Sequence, residues 1–287
     1  MSNDPKTPVI DTHLHFWNLE TNYREHAGWL EDSPSLQRSF LPEDVKPAFD
    51  ACGVDKGIII ECARTSHKLN LWWLQLAAEH DYIGSVVAGC FLEQEDLSTW
   101  FDEYAQSPDF VGVRTSPAGS PDSWLDNPAT LRGLQELSRR TLSLDLLVGF
   151  DAFAAVGEIA ARFPELRICL NHCGNPPIAE GRMGDWAKNL RPLANQPNIM
   201  VKYSSLLFYT KPDTSIERIQ PVADFLISHF GSERLVWGSN WPVELLGGSY
   251  EESFEKTYEA MESLTSAAER QAIFGGNAAR FYRVQDW

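Results

Sequence analysis

Two histidines, His13 and His15, lie two residues apart in a short apolar segment near the N-terminus. Because side chains alternate between the two faces of a strand, both imidazoles are expected on one face, with Leu14 and Phe16 on the other. Two neighbouring imidazoles with room between them make a metal site or a proton-transfer site. The pair predicts one of these two chemistries, in preference to histidines that serve packing alone.

A third histidine, His172, ends another apolar segment, and Gly174 and Pro176 follow it closely. Glycine and proline break a strand, so this imidazole is expected at the exposed end of its strand. Two cations, Arg114 and Lys202, also lie in strand-like segments. A salt bridge at the rim is the alternative interpretation of both, and a role in binding is favoured.

Apolar segments of strand length recur along the chain and would position these residues. The predicted strands span residues 9–16, 57–62, 85–91, 110–114, 144–148, 166–172, 198–203 and 234–238. Near-continuous apolar runs are typical of parallel strands buried on both faces. Helices are predicted between them, for example over 69–80, 128–139 and 152–163, the last two capped by Asn127 and Asp151.

Alternating strands and helices indicate either a closed barrel or a long doubly wound sheet. No strand is followed by a glycine-rich nucleotide-binding loop, which weakens the second topology. We predict one (β/α)8-barrel domain over residues 1–287, with its active site at the carboxyl ends of the strands. The long irregular stretch 18–42, with Tyr23, His26 and Trp29, is expected to be functional.

Composition narrows the class of partner. The net charge of −16 argues against nucleic acid and anionic membranes, which need clustered Lys and Arg, and leaves a small-molecule substrate. No apolar run is long enough to cross a bilayer, and no apolar signal core precedes the first strand. Five cysteines without a disulfide or zinc-ribbon spacing favour a reducing, cytoplasmic location. The sequence allows an oligomer and specifies none.

Five segments together resemble the amidohydrolase-related family, and more closely its branch of sugar-lactone hydrolases and pyrone dicarboxylate lactonase. They are VIDTHLHFW (9–17), GVR (112–114), NHCGNP (171–176), VKYSSL (201–206) and WGSNWPV (237–243), in the family's order. The resemblance implies a distorted (β/α)8 barrel of the amidohydrolase superfamily. It also implies that these segments carry the active site of a hydrolase.

The resemblance carries over residue by residue. His13 and His15 match the family's strand-one histidines, and His172 matches its strand-six histidine. Arg114 matches the strand-four arginine, and Lys202 stands for the strand-seven basic residue. In the lactonase relatives such groups bind the substrate carbonyl and its carboxylate or hydroxyls.

The chain departs from the family pattern at two places. Strand five has no His and strand four has no Lys or Glu, so a two-metal centre is not expected. The resemblance then implies no metal or one divalent ion, with zinc the favoured ion and His13, His15 and His172 its tentative ligands. Asn240 replaces the usual strand-eight Asp. An amide cannot act as a general base and is a poorer ligand than a carboxylate.

Three functions remain open. The first is hydrolysis of a small lactone from sugar acids or aromatic breakdown, with Arg114, Lys202 or a metal stabilising the oxyanion and Asn240 orienting water. His172 or His13 would be its base, with Asp151 and Glu61 in reserve. The second is a mononuclear metal-dependent hydrolase or decarboxylase. The third is a barrel that binds a ligand without catalysis, which Asn240 would explain.

Aromatic side chains near the predicted rim have two equally favoured interpretations. They could stack on a sugar or pyrone ring, or simply pack in the core. These residues are Trp17, Trp29, Phe208, Tyr209 and Trp241.

Overall fold

The computed structural model describes residues 7–21, 30, 33–62, 66–115 and 119–285. Within this part of the chain, eight strands form one sheet. They are β1 (Ile10–Leu14), β2 (Lys56–Ile60), β3 (Ile83–Gly89), β4 (Phe110–Thr115), β5 (Ser143–Leu146), β6 (Arg167–Leu170), β7 (Ile199–Ser204) and β8 (Leu235–Gly238). Each predicted strand segment overlaps one of them.

The sheet is a closed, parallel barrel. Strands neighbour one another in chain order, and each pair is parallel. Two hydrogen bonds close the seam between β1 and the residues after β8: the amide of His15 donates to Trp241 O, and that of Asn240 donates to His13 O, both at 2.9 Å. The predicted (β/α)8 barrel is confirmed.

Helices lie between the strands and around the barrel. Those described are α1 (Pro42–Cys52), α2 (His67–Glu79), α3 (Leu97–Tyr104), α4 (Pro128–Arg139), α5 (Phe153–Arg162), α6 (Met183–Leu190), α7 (Leu206–Thr210), α8 (Ile216–Phe230), α9 (Tyr250–Glu262), α10 (Ala267–Gln271) and α11 (Asn277–Phe281). None is long and apolar enough to cross a bilayer, among the residues described.

The two predicted helix caps have different outcomes. Asn127 caps α4, because its Oδ1 accepts a hydrogen bond from the amide of Ala129 at 2.9 Å. The prediction for Asp151 is wrong, since α5 begins at Phe153 after Ala152 and has no side-chain cap. A turn in which the amide of Ala152 donates to Gly149 O carries the chain past Asp151 into the helix.

The apolar core has two layers, separated by the barrel wall. The outer layer lies between strands and helices and includes Leu14, Phe16 and Ile59. The inner layer includes Ile58 and Ile60, which alternate with Ile59 along β2 and therefore face the barrel interior. Residues of both α11 and its C-terminal extension join this inner layer: Ala278, Ala279, Phe281, Tyr282 and Val284.

The segment before α11 approaches the start of β1 very closely. A Cβ placed on Gly275, in the π-helical turn Ala272–Gly276, would lie 1.6 Å from the carbonyl oxygen of Pro8. Only glycine can be accommodated there without moving the backbone. The C-terminal part of the chain thus packs against the beginning of the strand that carries the two histidines.

None of the five cysteines, all within the described residues, forms a disulfide. This agrees with their spacing, which shows no disulfide pattern.

Candidate active site

The carboxyl end of β1 brings the two predicted histidines together. The Nε2 atoms of His13 and His15 are 3.2 Å apart, and both side chains are buried. The pairing of β1 with β2 is irregular between Asp11 and Leu14, at the segment that carries the pair. Leu14 and Phe16 pack in the outer layer, so the predicted division between the two faces is confirmed.

Hydrogen bonds fix which atoms of His15 and Asn240 face each other. His15 Nδ1–H donates to the carbonyl oxygen of Ile60 at 2.8 Å, which assigns the lone pair of the neutral ring to Nε2. Asn240 Oδ1 lies 3.1 Å from this Nε2, and its Nδ2 donates to Ser205 Oγ at 2.7 Å. His15 Nε2 thus lies 3.2 Å from His13 Nε2 and 3.1 Å from a second acceptor, Asn240 Oδ1, a geometry that favours a shared proton, a water molecule or a cation.

His172 lies in the left-handed turn that ends β6. Its φ is 50°, and Ser205 (62°) and Asn240 (73°) also have positive φ at the ends of their strands. Such backbone is strained for residues with a side chain, and it commonly clusters at functional sites. His172 Nδ1 is hydrogen-bonded to Ser204 Oγ at 2.8 Å, and its ring lies 4.3 Å from that of His13.

All three imidazoles are held neutral. Burial lowers the pKa of His15 to about 3, and the nearby Arg114 adds to the effect. Burial likewise lowers the pKa of His13 and His172 well below the usual range, with repulsion from neighbouring cations and histidines. Neutral rings can accept a proton or bind a cation, but they cannot act as resting acids near pH 7.

A cavity of about 220 Å³ opens over these residues. It is lined by His15, Cys62, Arg114, Leu147, His172, Ser205, Phe208, Tyr209, Asn240 and Val243. His15, His172, Asn240 and Arg114, which the sequence singles out, thus share one cavity. Phe208 and Tyr209 are the aromatic residues from the predicted rim set that line it.

Arg114 is both a paired and a cavity-lining residue. Its Nε donates to Glu61 Oε1 at 2.7 Å, and the two side chains are about one-tenth exposed, at 10% and 12%. The salt-bridge interpretation of Arg114 is therefore observed, and its role in binding stays a prediction that its place in the cavity wall allows. Glu61, a reserve candidate for the base, is engaged as its counterion.

Lys202 lies below the cavity instead of lining it. Its side chain is fully buried, and Nζ donates to Asp145 Oδ2 at 2.9 Å and to the carbonyl oxygen of Thr12 at 2.8 Å. Tyr282 OH donates to the same carboxylate at 2.9 Å. The expected contact between Lys202 and substrate is therefore not supported, because its ammonium group forms hydrogen bonds inside the barrel with Thr12 and Asp145.

Other predicted residues are also placed away from the cavity or outside the described part. Trp241 packs against Phe16 and Phe40 at ring distances of 5.8 and 5.3 Å, so core packing is its observed role. Trp17 is buried and donates to Arg38 O. Asp151 is exposed and does not line the cavity. Trp29, together with Tyr23 and His26, lies outside the described residues.

Sequence reasoning missed Asp11, a buried carboxylate behind the histidines. It accepts hydrogen bonds from the amides of His13 (3.0 Å) and Ser239 (2.9 Å) and from Tyr250 OH (2.9 Å), although burial raises its pKa. Asp11 thereby joins β1, the segment after β8 and α9. The sequence did contain a signal for this role, because Asp11 is a charged residue two positions before His13 in a strand with apolar ends.

Sequence reasoning also missed Ser205 and Glu244. Ser205 Oγ accepts a hydrogen bond from the side-chain NH2 group of Asn240. Glu244 lies one helical turn after Asn240, and its backbone amide donates to Asn240 O at 3.0 Å. The sequence signal for Glu244 was that it is a single charged residue in the apolar segment after β8.

The residues present fit one cation, held by neutral ligands. Among the described residues, no three His, Cys, Asp or Glu side chains are grouped to hold a metal, so the expected three-histidine zinc set is not found. His172 instead bonds Ser204 and packs beside the His13 ring. Zinc–nitrogen bonds of about 2.0–2.1 Å at tetrahedral angles separate two nitrogens by roughly 3.4 Å. The 3.2 Å between His13 Nε2 and His15 Nε2 is close to this value, and Asn240 Oδ1, 3.1 Å from His15 Nε2, is a neighbouring oxygen donor.

Known proteins resemble the chain over nearly its full length. An L-fucono-1,5-lactonase of Burkholderia ambifaria is 29% identical over 279 residues, covering 96% of this chain and 95% of the relative. The uncharacterized protein y4mH of Sinorhizobium fredii is 32% identical over 300 residues, covering 96% and 98%.

Similarity extends to solved structures and to a family model. A crystal structure of an amidohydrolase from Burkholderia multivorans with bound zinc superposes with a TM-score of 0.88 at 29% identity, covering 97% of this chain and 100% of that chain. The model of the amidohydrolase family matches residues 10–284. Since this match extends from the first strand to the C-terminal extension, the chain is an enzyme that belongs to the amidohydrolase family.

Proposed function

We propose that the enzyme hydrolyses a small sugar-acid lactone by attack of water on the ring carbonyl. One observation carries the proposal: neutral His15 and His172, Asn240 and Arg114 surround a single cavity of about 220 Å³. This volume lies below the usual range for drug-sized ligands and suits a monocyclic substrate. The lactonase relative from Burkholderia supports the substrate class.

His172 is the proposed base. It lines the cavity, it is neutral, and its Nδ1 is occupied by Ser204, which leaves Nε2 for water. Asn240 Oδ1 accepts the other hydrogen of that water and orients it. As water attacks, its proton passes to His172, and negative charge on the tetrahedral intermediate offsets the cost of charging this buried ring.

Arg114 is the proposed electrophile of the site. Its cation, held in place by Glu61, faces the charge that develops on the carbonyl oxygen. His172 then returns the proton to the ring oxygen as the C–O bond breaks, and the product is the open hydroxy acid. A divalent cation held by His13, His15 and Asn240 would polarise the carbonyl in addition.

We also propose that the enzyme works in the cytoplasm. Five cysteines that form no disulfide support a reducing compartment.

A panel of sugar-acid lactones tests the function, with acid release followed by a pH indicator after chelation and again after adding zinc. We expect ring opening of at least one lactone. His172→Asn should lower kcat by about 10²–10⁴-fold, the contribution of a general base, with little change in KM. His229→Asn, at a half-buried position near the end of α8 and away from the cavity, is the matched control and should keep the wild-type rate. A purified enzyme that opens no lactone under either condition would refute the proposal.

A further inference from the structure

Tyr282, in the C-terminal extension after α11, lies beneath the active site without lining its cavity. The side chain is fully buried in the inner layer of the core. Its hydroxyl donates to the Asp145 carboxylate, 2.9 Å from Oδ2 and 3.1 Å from Oδ1, and its ring centre lies 5.3 Å from Lys202 Nζ. This one side chain therefore contacts both members of the buried ion pair.

Asp145 also holds the residue that precedes the proposed base. Asn171 is fully buried at the end of β6, and its Nδ2 donates to Asp145 Oδ2 at 3.2 Å. His172 comes next, at the start of the left-handed turn. Strained backbone of this kind persists only where the surrounding contacts hold it. The contact with Asp145 thus fixes the residue from which this turn begins.

Lys202 connects Asp145 to the strand of the histidine pair. Its Nζ donates to Asp145 Oδ2 at 2.9 Å and to the carbonyl oxygen of Thr12 at 2.8 Å. Thr12 immediately precedes His13 in β1. Hydrogen bonds from one carboxylate therefore lead to the residue before His13 and, separately, to the residue before His172.

We propose that Tyr282 is a positioning residue, which holds Asp145 so that His13 and His172 keep their relative placement. The two imidazole rings lie 4.3 Å apart. Within the described sheet, their strands β1 and β6 are not neighbours, so the ladder between adjacent strands does not set this distance directly. The contacts through Asp145 join the two strands across the barrel interior instead.

The consequence for catalysis rests on the proposed function, in which His172 takes a proton from the attacking water. A general base must lie within hydrogen-bond distance of that water, and a small displacement of the base lowers the rate steeply. Tyr282 lies outside the cavity, so it should affect kcat while leaving substrate binding, and therefore KM, nearly unchanged.

The first test is Tyr282→Phe, which removes the hydroxyl and keeps the ring against Lys202. We expect kcat to fall about tenfold, the effect of a base displaced by less than about 1 Å, with KM nearly unchanged. Tyr104→Phe is the matched control, because this buried tyrosine of α3 also has two hydrogen-bond partners, His67 Nδ1 and Asn70 Nδ2. Its melting temperature should fall to a similar degree, while kcat stays within about twofold.

Nitrogen NMR of isotope-labelled histidine side chains gives a second readout, which needs no substrate. The signals of His13 and His172, assigned by their loss in His13→Asn and His172→Asn, should shift in Tyr282→Phe. In Tyr104→Phe the His67 signal should shift, while those of His13 and His172 should stay in place. The signals report on Tyr282 even if no lactone is opened, so this proposal and the proposed function fail separately.

Unchanged His13 and His172 signals in Tyr282→Phe, or a kcat within about twofold of the wild type, would overturn the proposal. An equal loss of kcat in Tyr104→Phe would also overturn it, because the effect would then follow general stability. If Tyr282→Phe fails to fold, Asn171→Leu keeps the side-chain size and removes only the contact between Asp145 and the residue before His172. The His172 signal should shift in this variant, and an unchanged signal would contradict the proposal equally.

Discussion

Asn240 stands where the resembling family has an aspartate, and its NH2 group replaces a carboxylate oxygen that could take a proton. Its oxygen lies 3.1 Å from His15 Nε2, where the aspartate oxygen of a relative would serve as base or ligand. The amide retains the acceptor and loses the charge. Orientation of water can therefore stay at residue 240 while basicity moves to a histidine.

Restoring the carboxylate should increase metal affinity without improving turnover. In Asn240→Asp, a charged oxygen joins two imidazole nitrogens, and we expect zinc to bind at least about tenfold more tightly, or about 1.4 kcal/mol. The new charge faces Ser205 and upsets its orientation, so kcat should stay level or fall. Calorimetric titration with zinc and lactone assays measure the two effects. Activity that appears only in Asn240→Asp would show that the parent is a binding protein.

Three separate elements meet at Asp11, and this contact sets the direction in which the histidines point. The carboxylate holds the amide of His13 on β1, the amide of Ser239 after β8 and the hydroxyl of Tyr250 on α9. The seam of the barrel is thus fastened immediately behind the active site. Displacing this group should disturb stability and catalysis together.

Asp11→Ala should lower the free energy of unfolding by about 3 kcal/mol, because two buried amides lose their acceptor. Asp11→Asn keeps an acceptor oxygen and can donate to Tyr250, so most of the stability should return. Tyr250→Phe, which removes a single hydrogen bond, should cost only about 1 kcal/mol. Urea denaturation measures all three. A change below about 1 kcal/mol in Asp11→Ala would mean that the seam is held elsewhere.

Elements were easier to predict from the sequence than side-chain positions within the barrel. Apolar runs predicted the strands, since both faces of a parallel strand are buried, and spacing two placed His13 and His15 together. Nothing local in the sequence distinguishes Lys202, which binds Asp145 inside the barrel, from Arg114, which lines the cavity. The different positions of the two side chains depend on how far along its strand each residue lies. For Lys202 they also depend on Asp145, which is 57 residues away in the sequence. The sequence left the role of Trp241 open for the same reason, because its packing partner Phe40 lies far away in the chain.

At the scale of the whole molecule, the barrel interior holds neutral histidines above a buried ion pair. Lys202 spans from β7 to Thr12 of β1 and to Asp145 of β5. Removing one member would leave the other charge unpaired in the core, at a cost of about 3–5 kcal/mol. The same interior keeps the imidazoles from taking protons, and this links stability to pH.

The free energy of unfolding should decline as the pH falls below about 6.5. The folded-state pKa of His15 is about 3 against an ordinary 6.5, so between these values the unfolded chain binds a proton that the folded chain does not. His15 lowers stability by about 1.4 kcal/mol per pH unit in this window, and the lowered pKa values of His13 and His172 act in the same direction. Glu244 acts in the opposite sense, because its raised pKa favours the folded state as the pH falls from about 7 toward 4.5.

His15→Asn tests this linkage. Urea denaturation from pH 7 to pH 4 should give a slope shallower by about 1.4 kcal/mol per pH unit than the wild type. An unchanged slope would show that His15 takes up its proton in the folded state as readily as in the unfolded chain.

The contact of Gly275 and Tyr282 with the beginning of the barrel has a consequence for biosynthesis. β1 is translated before the other seven strands, but two groups that pack against the barrel, Gly275 against Pro8 and Tyr282 on Asp145 of β5, are translated after all eight strands. We therefore expect the packing beneath His13 and His15 to be completed only after Tyr282 has been translated. A chain released before this point would expose the open barrel to proteases. Assembly of the catalytic centre is therefore expected only in chains that have been translated through Tyr282.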